Sequence, residues 1–103
     1  MRLPYSMDVL GYKYSIRYSD ELKDDDVPDG ILFGKCETSK WQIDINSAYD
    51  RINQETALVH EVIEAINSHA GLELNHQTIC ILEATIYNMI KQLESNEDTQ
   101  GQC

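Results

Sequence analysis

The sequence predicts an α+β fold, a small antiparallel sheet of about three strands packed on an antiparallel pair of helices. Three observations point to it. The first half alternates apolar and polar residues with a period of two, and the second half carries two apolar stripes of helical period. A length of 103 residues with 42% hydrophobic positions suits one core and one domain.

Tyr12, Tyr14, Ile16 and Tyr18 alternate with Lys13, Ser15 and Arg17, the pattern of a half-buried strand. The acidic stretch Asp20, Glu21, Asp24, Asp25 and Asp26 follows as a solvated loop and ends in Val27-Pro28-Asp29-Gly30. Proline presets the turn dihedral there and glycine accepts positive φ, so the chain reverses. A second strand is expected from about Ile31 to Cys36. After the polar Glu37-Thr38-Ser39-Lys40, Trp41, Ile43 and Ile45 alternate with Gln42, Asp44 and Asn46, which makes a hairpin. Trp41 reads as a core anchor, or as part of an exposed strand edge able to pair with an extended peptide. Three strands with one apolar face need a helical layer.

Asp50 is a good N-cap, and Val59, Val62, Ile63, Ile66 and Ala70 recur at helical spacing until Gly71 can close the helix, giving a span of about 51–69. Asn75 is the next N-cap, and Ile79, Leu82, Ile86, Met89, Ile90 and Leu93 trace the stripe of a second helix over about 76–94. The short Gly71-Leu72-Glu73-Leu74 link sets the helices side by side. The domain is therefore expected over 1–94, with a flexible acidic tail over 95–103.

The formal net charge of −10 disfavours nucleic acid and suits basic protein partners or metal cations. No apolar run is long enough for a membrane span or a signal peptide, so a cytoplasmic protein is expected. Cys36, Cys80 and Cys103 form no paired motif and read as free thiols.

His60 and Glu64 lie four residues apart on one helix, so both side chains leave the same face one turn apart and can bite one metal ion. Glu61 follows the first of them, where in a zincin helix a glutamate takes the proton of a metal-activated water. The segment from Gln54 to Ile66, with His60-Glu61-Val62-Ile63-Glu64 at its centre, resembles the active-site helix of small phage and bacterial zincin-like proteins of the ImmA/IrrE-type metallopeptidase group. Gly34-Lys35-Cys36-Glu37 followed by Gln42-Ile43-Asp44-Ile45 resembles their strand-rich half. The resemblance implies a minimal zincin-like fold, zinc as cofactor, peptide hydrolysis, a host-cell cytoplasm and an acidic third ligand from the following helix. Glu83 is the first choice for that ligand and His76 the second. His69, nine residues after His60, points away from the pair. Tyr87 either packs or hydrogen-bonds a ligand.

The group usually carries a second histidine where this chain has Glu64. A carboxylate there adds negative charge at the metal and makes an activated water less acidic. The alternative function is thus a catalytically inactive phage accessory protein that binds a host or phage protein through its acidic surface, and a third is a structural oligomer subunit. The plainest reading of His60, Glu61 and Glu64 is a hydrogen-bonded histidine flanked by solvated helix positions.

Overall fold

In a computed structural model the chain is described over residues 2–24 and 30–99. The elements run β1 (Ser6–Val9), β2 (Tyr12–Ser19), β3 (Lys23–Asp24), β4 (Gly30–Ile31), β5 (Gly34–Glu37), β6 (Gln42–Asn46), α1 (Arg51–Ala70) and α2 (His76–Thr99). The α+β class is as the patterning predicts, but the sheet differs in two respects. It has four strands in the order β1-β2-β6-β5, and β2 pairs with β6 in parallel, Ile16 opposite Ile43 and Tyr18 opposite Ile45. The sheet is mixed rather than antiparallel.

β1 was not foreseen because its Ser6-Met7-Asp8-Val9 run is too short to show a period. It is held by a two-residue turn in which Leu10 and Gly11 both take positive φ, 52° and 86°, the twist that a tight hairpin needs. The expected second strand is split. Gly30–Ile31 pairs with Lys23–Asp24 in a separate two-stranded ribbon, and Gly34–Glu37 joins the main sheet antiparallel to β6. The expected turn residues 27–29, with Asp25 and Asp26, lie outside the described residues.

Trp41 is not a core anchor. It sits in the β5–β6 turn with φ 50°, is 46% exposed, and leans on Tyr12 at a ring-centroid distance of 5.4 Å. β6 has no exposed edge either, since β2 and β5 flank it. Its buried polar residues have partners: Asp44 accepts from the exposed Arg17 and from Gln42, and Asn46 donates to the Leu32 carbonyl.

α1 starts where Asp50 accepts a hydrogen bond from the Asn53 amide and ends at left-handed Gly71. One face of it closes the sheet. Ala57, Leu58 and Ala65 pack on Tyr14, Ile16, Ile43 and Ile45, and burying each large aliphatic side chain contributes roughly 1.5–3 kcal/mol. The opposite face carries Val59 and Ile63, which meet Ile79, Leu82, Ile86 and Ile90 of α2. α2 touches α1 and, among the described residues, no strand. The molecule is thus layered as sheet, α1 and α2, with α1 in the middle.

Asn75 caps α2 through the Thr78 amide as expected. The helix runs on to Thr99, past the end at 94 that its apolar stripe suggested. The rest of the expected tail, 100–103 with Cys103, lies outside the described residues. No helix among the described residues is long and apolar enough to cross a membrane.

Candidate functional site

The middle position of α1 decides where its polar residues go. Ala57 and Ala65 face the sheet, and Glu61, one turn from each, faces it too, at the β5 edge. Val59 and Ile63 face α2. His60 and Glu64 fall between the two faces, at the seam where α1 meets α2.

At that seam the His60 ring is clasped on both sides. Its Nδ1 lies 2.8 Å from Glu83 Oε1 of α2, and its Nε2 lies 3.7 Å from Glu64 Oε1. The Glu83 contact is a hydrogen bond from Nδ1–H to the carboxylate, which leaves Nε2 as the nitrogen facing Glu64. The two carboxylates therefore occupy opposite sides of one imidazole. His76 enters from the first turn of α2, its ring 5.7 Å from that of His60 and edge-on to it. His76 Nε2 in turn lies 3.4 Å from Cys80 Sγ.

A cleft of about 410 Å³ opens here, lined on one side by Phe33 and Gly34, on the other by His76, Cys80 and Glu83, with His60 and Glu61 at its base. Glu64 is not part of the lining, and no lysine or arginine is.

Glu61 is 8% exposed and its carboxylate has no hydrogen-bond or ion-pair partner among the described residues. No fully enclosed side-chain nitrogen or oxygen among those residues lacks a partner, so the Glu61 oxygens face the cleft. Burial pushes its carboxyl up to about 7; His60 draws it back, and the Glu64 and Glu83 charges push it further. Glycine at residue 34 gives the side chain its room. A Cβ there would stand 3.0 Å from Glu61 Cγ, 3.2 Å from its Oε2 and 3.3 Å from the Asp44 carbonyl oxygen.

The residues singled out in the sequence are thus brought close: His60, Glu64, Glu83 and the second-choice His76 share one seam, and Glu61 faces the cleft beside it. The donor chemistry suits a divalent ion, being imidazole and carboxylate with no basic side chain to neutralise it, and an unpartnered buried carboxylate at its base. The His60–Glu64 separation of 3.7 Å is close to the spacing of about 3.3 Å between two ligand atoms on tetrahedral zinc. Among the described residues, however, no three His, Cys, Asp or Glu side chains are arranged to hold one ion. The pair is present and a triad is not.

Three other residues fall elsewhere. Tyr87 donates to Glu55 at 2.7 Å, which also accepts from Arg51 at 3.0 Å, so Tyr87 serves a neighbouring buried carboxylate. His69 stacks on Tyr12 at 4.0 Å and meets the Tyr14 hydroxyl at 2.6 Å, away from the seam as expected. Cys36 lies near Glu61, and burial, followed by the Glu61 charge, pushes its thiol up to about 11, so it is a poor thiolate.

Sequence reasoning missed two participants. Gly34 reads in the sequence as part of a strand pattern, although a glycine inside a strand signals close approach of another group. Cys80 reads as a lone thiol, although it stands four residues after His76 on the same helical face. Compared with protein-family models, curated proteins and solved structures, the chain matches none.

Proposed function

We propose that this chain is a minimal zincin-like metalloprotein that takes a divalent ion, zinc foremost, at the α1–α2 seam and acts on a peptide substrate. The carrying observation is Glu61: a carboxylate that is 8% exposed, lacks a hydrogen-bond or ion-pair partner among the described residues, and lines a cleft with two imidazoles, another carboxylate and no cation of its own.

His60 and Glu64 are the residues that would hold the ion. Glu83, bonded to Nδ1, is the third group of the site and keeps the imidazole turned so that Nε2 is available. Zinc, when bound, supplies Lewis acidity, polarising a carbonyl oxygen and easing the loss of a proton from water near neutral pH. Glu61 contributes the base. Its carboxyl, raised to about 7 by burial foremost, is ready to accept and return a proton close to neutrality. Strand β5 pairs with β6 on one side, and its Gly34 lines the cleft, so an extended peptide lying along β5 would pass over Glu61.

Zinc quantification on the purified chain and on His60→Ala tests the metal. Bound zinc in the first and none in the second is expected; negligible zinc in both overturns the reading. Glu61→Gln should keep the metal and lose peptide hydrolysis.

A binding protein without catalysis is the second reading, and the exposed apolar residues of α2 favour it. Ile81, Met89 and Leu93 stand 59%, 52% and 56% exposed, on a chain of net charge −10. Such a protein would keep its cellular activity in Glu61→Gln.

A further inference from the structure

α2 brings three donors to the cleft: His76, Cys80 and Glu83 follow one another at i, i+4 and i+7, and all three line it. That spacing puts them on one helical face, opposite His60 and Glu61 of α1. Glu83 is committed to His60. His76 and Cys80 are committed to each other, Nε2 to Sγ at 3.4 Å.

Zn–N and Zn–S bonds of about 2.0 and 2.3 Å put two tetrahedral ligand atoms about 3.5 Å apart. The observed hydrogen-bond separation of 3.4 Å is close to the edge that a nitrogen and a sulfur ligand of one ion would span. The His60 ring stands edge-on at 5.7 Å from that of His76 across the two helices, although among the described residues no three such donors converge on one point. The buried, partnerless Glu61 carboxylate faces the same cleft, which a cation would relieve. Cys80 is exposed and Cys36 is not, so Cys80 is the thiol that an incoming ion meets.

We infer that His76 and Cys80 form a second ligand arm of this site, so that Cys80 sulfur coordinates the divalent ion together with His60. The inference rests on the metal-binding reading above and extends it from a nitrogen and oxygen site to one that includes a thiolate. On binding, the Cys80 S–H bond breaks, its electron pair forms the bond to the ion, and its proton goes to solvent. Thiolate selects zinc and cobalt over magnesium, calcium and manganese.

Cobalt(II) titration of the full chain, followed by absorption, reads this directly. Visible d–d bands report cobalt bound by any donors, and a near-ultraviolet charge-transfer band reports sulfur. Both are expected in the unmodified chain and in Cys36→Ser/Cys103→Ser. Cys80→Ser, a conservative change at an exposed position, should lose the near-ultraviolet band and keep the visible ones, and His76→Ala should weaken both. Visible bands without a near-ultraviolet band in the unmodified chain, or a near-ultraviolet band that survives in Cys80→Ser, would overturn the thiolate ligand while leaving the metal site standing. No cobalt uptake by any form overturns the metal site and this inference with it.

Discussion

The Nδ1 atom of His60 lies 2.8 Å from Glu83 Oε1, a bond across the helix pair between residues 23 apart in sequence. It fixes the face that the imidazole offers. Ligand histidines are commonly held this way by a carboxylate, and losing the holder typically weakens metal binding about 10–100-fold. Glu83→Ala is therefore expected to lower zinc affinity by roughly that range while leaving the fold intact, since Glu83 is only half-buried. Competition with a chromophoric chelator measures it. Unchanged affinity would show that His60 needs no partner on Nδ1.

Glu61 makes stability depend on pH in a defined direction. Its carboxyl is raised from 4.5 to about 7 in the folded protein, burial being the largest cause. The native state thus holds a proton that the unfolded chain gives up in this window, so stability falls as pH rises from about 4.5 to about 7. Below the window the cost is absent and above it the cost is complete. Glu61→Gln removes the titration, and metal-free protein should gain stability from it at pH 8 relative to pH 5, by up to about 3 kcal/mol. Urea denaturation in the presence of chelator at both pH values checks the sign.

Much of this site is legible in the sequence because helices bring i and i+4 together without help from tertiary structure. His60, Glu61 and Glu64 stand out through that periodicity together with the resemblance of their segment to a zincin helix, and Glu83 and His76 through the third ligand that this resemblance implies from the following helix. What was not legible depends on strand order. The alternation in Gln42–Asn46 marks a strand with one apolar face, but the same alternation fits an edge or a centre. Only the parallel pairing with β2 puts β6 inside, encloses Asp44 and Asn46, and turns β5 into the strand beside α1. Trp41 misled for a related reason, since a tryptophan next to an alternating run reads as its first inward position while its backbone here belongs to the turn. Gly34 could be understood only once Glu61 was seen beside it.

Gly34 and Glu61 should therefore behave as one unit. The Cβ of Gly34→Ala would press on the Glu61 side chain and on the Asp44 carbonyl oxygen at 3.0–3.3 Å, and overpacking of this kind costs roughly 1–3 kcal/mol. Glu61→Ala removes two of the three contacts. The double variant should then lose less stability than the sum of the single ones, with a coupling of at least about 0.5 kcal/mol. A double-mutant cycle by urea denaturation measures it, and strict additivity would mean that the Asp44 backbone alone sets the limit at residue 34.

Glu55 presents the opposite case, a buried carboxylate in α1 whose needs are met by protein donors. It is 3% exposed, and burial works to raise its carboxyl, but hydrogen bonds from Tyr87 and Arg51 hold it below the usual range. Tyr87 donates from α2 at 2.7 Å, so this contact ties the helices together as His60–Glu83 does, on the sequence-distal side of the seam. Tyr87→Phe keeps the ring among Val59, Ile63 and Ile90 and removes only the donor. The expected loss is about 1–3 kcal/mol, the cost of leaving a buried charged acceptor short of one hydrogen bond. Because a depressed carboxylate stabilises the fold above its unfolded pKa and stops doing so as pH falls through its folded one, the penalty of Tyr87→Phe should be larger at pH 7 than at pH 3. Thermal or urea unfolding at the two pH values decides it, and an equal penalty at both would show that the hydroxyl contributes through packing and not through the Glu55 charge.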